Sequence, residues 1–199
     1  MEYVGHLSKD PVMQKLIAMH GVFSLKKERD IYLYLCYSIM GQQLSTRVAD
    51  VLRERFLALY PKGKPTAAQI LATPFETLRS IGLSNAKAQY VLNVAAFEET
   101  HGMGVKQLNR MDDAEVKAYL TTIKGVGNWT VEMLLMFALG RENVFAPDDL
   151  GIQVAMQKLY RVSFTDKRKA KQRMEKISEK WSPYRTYACL HLWRHKDGA

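Results

Sequence analysis

Two short stretches hold the residue types most able to do chemistry. Residues 124–130 read KGVGNWT, with two glycines one residue apart, a lysine before them and a tryptophan after. Further along, Pro147 is followed by Asp148 and Asp149 at the mouth of a helical pattern. Gly-x-Gly between two helices lets the backbone approach a neighbour closely. Its amides, with those opening the second helix, form a cluster of donors that no Cβ shields. Such a cluster suits phosphate oxygens, and Lys124 adds a charge beside it. Contacts of this kind hold a nucleic-acid backbone without reading its sequence. The same spacing also suits a tight corner between two helices, and spacing alone leaves both readings open. The aspartates suit a helix N-cap, for which one carboxylate is enough. That leaves the other as an anion kept ionised by the helix dipole and able to stabilise positive charge.

These groups need a scaffold, and helical periodicity runs almost throughout, with no convincing strand alternation. An all-α fold is expected. DPVMQKLIAMHG (10–21) has a cap-like Asp10, a proline in its first turn and a terminal glycine. RDIYLYLCYSIMGQQ (29–43) reads as an apolar helix stopped near Gly41. STRVADVLRERFLALY (45–60) opens on Ser45 and sets Val48, Val51, Leu52, Phe56 and Leu59 on one side. Two short helices follow a turn at 60–65, and a longer one runs between Ser84 and Gly102. The stretch 111–140 starts a helix at Asp112 or Asp113, breaks at the glycines and reopens at Asn128. Another helix follows the aspartates, and DKRKAKQRMEKISEKW (166–181) reads as a solvated basic helix with Met174, Ile177 and Trp181 on one face. A last helix, 182–195, has Ser182 as its cap and Pro183 at its first position.

Composition narrows the partners. Lys plus Arg is 29 against 20 for Asp plus Glu, a net charge of +9, which favours a polyanion through counterion release. No apolar stretch reaches membrane-spanning length, and the N-terminus lacks the basic-then-apolar layout of a signal peptide. A soluble intracellular protein is expected, cytoplasmic and nucleoid-associated in a bacterium or nuclear in a eukaryote. Cys36 and Cys189 both sit inside apolar helical patterns and read as buried thiols. No Cys/His clustering suits zinc or an iron–sulfur cluster.

Four ordered segments resemble the helix-hairpin-helix DNA glycosylase superfamily, and within it the 3-methyladenine DNA glycosylase II branch. IMGQQLS (39–45) is similar to the family's Gln-Gln/Leu-x-Ser loop, and LRSIGLSNAKAQYVLNVA (78–95) to its Gly-Leu-Ser-x-x-Lys-Ala segment. IKGVGNWTVEMLLMFALGRENVFAPDDLGI (123–152) resembles the hairpin-to-aspartate core, and WSPYRTYACLHLW (181–193) the C-terminal helix. The resemblance implies two closely packed helical subdomains, 30–125 and 1–29 plus 126–199, with the hairpin at the cleft. It also implies a compact form, since too few residues precede the first matched segment for the N-terminal β-domain of the better-known bacterial enzyme.

Carried over by position, the resemblance makes Asp149 the catalytic carboxylate. It gives Gly125, Gly127 and the adjoining amides, with Lys124, to a DNA phosphate. The carbonyls of Thr121, Ile123 and Val126 would hold a structural Na+ or K+. The loop of Gln42, Gln43 and Leu44, running into Ser45, would enter the base stack, Gln43 filling the vacated space. Trp129, Met133 and Trp193 would surround the flipped base, Met133 standing where the better-known enzyme has an aromatic residue.

Two departures from relatives sharpen the expected activity. Bifunctional members carry a nucleophilic lysine two residues after the second glycine, and this chain has Trp129 there. Lys124 lies on the wrong side of the hairpin to replace it, so no lyase chemistry is expected. The cysteine cluster of some branches is missing, so no Fe–S cluster and no catalytic cofactor are expected. The implied reaction is hydrolysis of the N-glycosidic bond of alkylated purines such as 3-methyladenine or 7-methylguanine, by a monomer acting on damaged double-stranded DNA, with no membrane partner. A glycosylase for ethenoadenine, hypoxanthine or uracil, or a non-catalytic DNA-binding module, are the alternatives.

Overall fold

The computed structural model describes residues 1–198, and among them every regular element is helical. The chain is all-α. In order it forms α1 (Glu2–Leu7), α2 (Pro11–His20), α3 (Ile31–Gly41), α4 (Thr46–Ala58), α5 (Ala67–Ala72), α6 (Phe75–Ser80) and α7 (Asn85–His101). Then come α8 (Val105–Leu108), α9 (Asp113–Leu120), α10 (Asn128–Met133), α11 (Leu150–Tyr160), α12 (Lys167–Ser178) and α13 (Arg185–Lys196). A π-turn, Leu134–Ala138, continues α10, and a 3-10 turn, Glu179–Trp181, follows α12. No described helix is long and apolar enough to cross a membrane.

Two compact units form, Glu28–Leu134 and Met1–Lys27 with the chain from Leu135 onward. The central unit therefore extends past the expected limit of residue 125. The reason is local: α10 packs on α9, and the buried Glu132 carboxylate accepts Lys117 Nζ at 2.8 Å, so both hairpin helices stay together.

Within the central unit α3 packs on α4 and α7, and α5 and α6 pack on α7. α3 is apolar nearly all round and accordingly sunk in the core, with Leu35, Cys36 and Ile39 fully buried. Capping boxes start α5 (Thr66 with Gln69) and α9 (Asp112 with Glu115), and Ser84 caps α7 through the Lys87 amide. One expectation fails here. Val48 and Val51 are exposed and only Leu52 and Phe56 of that set are buried, because the first turns of α4 lie at the surface after the Gln42–Leu44 loop.

In the terminal unit α13 packs against α2 and α11. Asp10 caps α2 as expected and also ends up 5 % exposed, at the centre of a polar cluster. Its Oδ1 accepts the Val12 amide. Its Oδ2 takes Tyr160 Oη at 2.9 Å, Trp181 Nε1 at 3.0 Å and Lys180 Nζ at 2.8 Å. The last helix begins at Arg185 and not at Ser182: residues 181–184 form a turn closed by the Tyr184 amide on Trp181 O, so Ser182 caps nothing. α1, α8 and the π-turn have no strong periodicity and were not expected from the sequence.

Candidate functional site

In the central unit, α7 anchors the hairpin. Gly125 has φ +108°, and a Cβ there would run into the Tyr90 ring. One turn further along α7, Asn93 Nδ2 donates to Lys124 O at 3.0 Å. The first glycine is thus required by the fold itself. Gly127 is different. Its φ is −98°, which any residue adopts, and a Cβ built on it would meet nothing within 4 Å. It stands at the N-cap of α10, has no side chain to cap the helix, and is itself exposed. Lys124 is exposed beside it.

The same helix reaches the Gln-Gln loop. Lys87, in the first turn of α7, donates from Nζ to Met40 O at 2.9 Å and to Gln42 O at 2.7 Å. Burial holds its pKa below the ordinary lysine value. Beyond the end of α3 the chain turns through Gln43 at φ +60°, a left-handed conformation uncommon for a residue other than glycine. Gln43 and Leu44 are exposed, and with Gln42, Gly41, Tyr37 and Trp129 they line a cavity of about 580 Å³. Trp129, 38 % exposed, is therefore brought to the loop. Ser45 occupies the N-cap position of α4, but its side chain makes no cap hydrogen bond there. Met133 is buried, and its carbonyl accepts the Tyr34 hydroxyl at 3.2 Å.

In the terminal unit the two aspartates divide their work in an unexpected way. Asp149 itself is the N-cap of α11, its Oδ1 accepting the Ile152 amide at 2.9 Å. The same oxygen accepts Trp193 Nε1 at 2.7 Å. Asp148 is drawn aside into an ion pair with Lys171 at 2.7 Å. The helix cap and the indole contact are thus combined on one oxygen of one residue. Trp193 lies against Phe137, and a Cβ at position 151 would fall 2.9 Å from its ring and 3.1 Å from Asp149 Oδ1. Gly151 is consequently what lets the indole reach the carboxylate. Sequence reasoning missed it, although a glycine in a first helical turn, two residues after an aspartate, was visible.

A family model for HhH-GPD superfamily base excision DNA repair proteins matches residues 36–183, a span that includes the loop, the hairpin and Asp149. The chain belongs to this superfamily. Its relatives include a Schizosaccharomyces pombe protein named DNA-3-methyladenine glycosylase 1, 32 % identical over 182 residues, covering 90 % of this chain and 78 % of the relative. Among solved structures, that of S. pombe 3-methyladenine DNA glycosylase (Mag1) in complex with abasic DNA aligns with a TM-score of 0.88. Identity there is 30 %, and the alignment covers 100 % of this chain and 98 % of that one. A DNA-3-methyladenine glycosidase from Bacillus halodurans aligns with a TM-score of 0.83 at 30 % identity, covering 97 % and 88 % of the two chains.

For a member of the HhH-GPD superfamily, the expected residues fall into two groups. Gln42, Gln43, Leu44 and Trp129 share one cavity, and the hairpin glycines are held by α7. Asp149 and Trp193 share a hydrogen bond. The carbonyl of Ile123 accepts the Val126 amide at 3.0 Å, closing the hairpin turn on which Thr121 and Val126 also lie. The groups that sequence reasoning missed are those that position others: Lys87, Tyr90, Asn93, Glu132 and Gly151.

Proposed function

We propose that this chain is a monofunctional DNA glycosylase that hydrolyses the N-glycosidic bond of alkylated purines and leaves an abasic site. The observation that carries the reading is the Asp149 carboxylate, fixed by a helix amide and an indole N–H in a chain with Trp129 where a lyase would keep its lysine. The names of the relatives support the substrate class.

The target nucleotide first leaves the stack, which costs a few kcal/mol and least for a damaged base. Gln43 fills the gap, while Gly127, the amides opening α10 and Lys124 hold a phosphate. A base such as 7-methylguanine is already cationic, so it departs without a strong general acid. An indole face attracts such a cation by about 0.5–2 kcal/mol, a role that suits the exposed Trp129. As the bond to C1′ breaks, the sugar becomes oxocarbenium-like, and the Asp149 carboxylate stabilises it or guides water to it. The Trp193 N–H keeps that carboxylate oriented. One aspartate suffices for this chemistry.

The carbonyls of Thr121, Ile123 and Val126 suit a hard monovalent cation, because they are neutral oxygens with no carboxylate among them. Na+ or K+ there would stiffen the hairpin turn and take no part in the chemistry. The enzyme would act as a monomer on double-stranded DNA, in the bacterial cytoplasm or the eukaryotic nucleus.

The test is a set of duplexes each carrying one lesion, incubated with the protein and then treated with alkali or left untreated. Release of 3-methyladenine or 7-methylguanine, with strand breaks only after alkali, is expected. Release of uracil or ethenoadenine alone would replace the substrate class, and breaks without alkali would remove the monofunctional reading.

A further inference from the structure

The loop that carries Gln43 is held by a contact that neither its own sequence nor the hairpin supplies. α3 ends at Gly41, where helix carbonyls are left without intrahelical partners and carry the negative end of the dipole. Three successive carbonyls are then engaged. Gly41 O accepts the Leu44 amide at 3.1 Å, while Met40 O and Gln42 O both accept Lys87 Nζ, at 2.9 and 2.7 Å. Between these bonds Gln43 adopts φ +60°. A residue with a Cβ stays in that conformation only where its surroundings over-determine it. The ammonium is placed there at a cost, because it sits in the first turn of α7, at the positive end of that helix, and is partly desolvated. The core contacts of α7 next to it are made by the apolar Ala88 and Val91, whereas the Lys87 ammonium reaches across to the end of α3.

We infer that Lys87 is a positioning residue for base extrusion: it sets the backbone of the Gln42–Leu44 loop so that the Gln43 and Leu44 side chains are presented beside Trp129 in the insertion geometry. Lys87 acts through the loop and not on the reacting atoms. The inference rests on the glycosylase reading of the same site. It also explains why the segment around Ser84 and Lys87 is needed at all: one helix sets the loop through Lys87 and the hairpin through Tyr90 and Asn93.

Insertion matters only where a base pair must be opened, and that separates this role from a general structural one. The experiment measures single-turnover release of 7-methylguanine from duplex and from single-stranded DNA, for wild type, Lys87→Met, Lys87→Arg, Gln43→Ala and the Lys87→Met/Gln43→Ala double variant. Lys87→Met should slow release from duplex on the order of tenfold, as expected when a positioned group is let loose. Release from single strands and affinity for undamaged duplex should stay within about twofold. Lys87→Arg should restore most of the duplex rate, and the double variant should be no slower than the slower single one, because both act through one element. Amide exchange at Leu44 should quicken in Lys87→Met, a reading that holds if catalysis is lost for any other reason. Equal slowing on duplex and single strand, multiplicative effects in the double variant, or unchanged exchange at Leu44 would each overturn the assignment. A wild-type protein that releases no base from either substrate would instead remove the glycosylase reading, and the Lys87 role with it.

Discussion

Asp10 and Asp149 are the same device used in two ways. Each caps a helix through its Oδ1, and each accepts a tryptophan indole N–H. Asp10 also takes a tyrosine hydroxyl and a lysine and is almost wholly buried, whereas Asp149 is partly exposed at the start of its helix. Burial works to raise the pKa of Asp10, but the hydrogen bonds from Lys180, Trp181, Tyr160 and the Val12 amide outweigh it and hold the carboxyl below its ordinary value. The first aspartate is tied on every side and serves stability. The second is held by the cap and the indole, and in the proposed mechanism it is the carboxylate that faces the sugar.

That contrast can be broken by substitution. The largest effect on stability is expected for Asp10→Ala, which removes the α2 cap and leaves the buried Trp181 indole N–H and the Tyr160 hydroxyl without their acceptor, and should cost about 2–4 kcal/mol in chemical denaturation. Asp149→Asn, in which the amide can still cap and accept, should change stability by less than about 1 kcal/mol. If the two shifts are alike, the division of labour is wrong.

The two hairpin glycines give a second contrast of the same form. Gly125→Ala meets the Tyr90 ring at a positive φ and should lose about 2–4 kcal/mol. Gly127→Ala meets nothing in the chain, so its melting temperature should stay close to wild type while duplex affinity falls severalfold with a shallower salt dependence. A Gly127→Ala protein that binds DNA as wild type does would leave the second glycine without a role.

Smaller again is the effect of the indole. Trp193→Phe keeps the contact with Phe137 and removes the N–H, and excision should fall by about 10- to 100-fold, as roughly 1.5–3 kcal/mol is typical of a hydrogen bond to a charged group. Gly151→Ala should do the same by pushing the ring away from Asp149.

The most gradual effect is on acid stability. His191 is buried beside His20, and burial followed by the charge of His20 pushes its pKa down to about 4. A folded-state pKa below the unfolded value of about 6.5 means stability that is full above pH 6.5 and is lost as pH falls toward 4. Asp10, whose folded pKa is also lowered, keeps its contribution through that window and loses it only at more acid pH. Unfolding midpoints from pH 7 to 3 should therefore fall in two steps, and His191→Gln should flatten the first.

How much of this could be read from the sequence depended on the range of the interactions. The hairpin turn and a helix cap at the aspartate pair were legible because turns and caps are made by residues three or four apart, but which aspartate caps was not. The Asp10 cluster was not, since its partners Tyr160 and Trp181 lie 150 and 171 residues away. Lys87 was visible as the lysine of the Gly-Leu-Ser-x-x-Lys-Ala segment, but its bonds to the carbonyls at the end of α3 depend on the packing of α3 on α7. Val48 and Val51 misled because a helical stripe shows which residues share a side, and not how far along the helix that side stays covered. The start of α13 was misjudged because Ser-Pro reads as a cap and first turn, whereas here both residues belong to the turn that precedes the helix.

The central claim is that an indole-held, helix-capping Asp149 stabilises the sugar cation during base release. Its most direct test is single-turnover excision of 7-methylguanine from duplex DNA by Asp149→Asn, alongside its affinity for duplex carrying an abasic-site analogue. Excision reduced by about 10²–10³-fold or more, with affinity close to wild type, is the predicted result. Excision at the wild-type rate would contradict it.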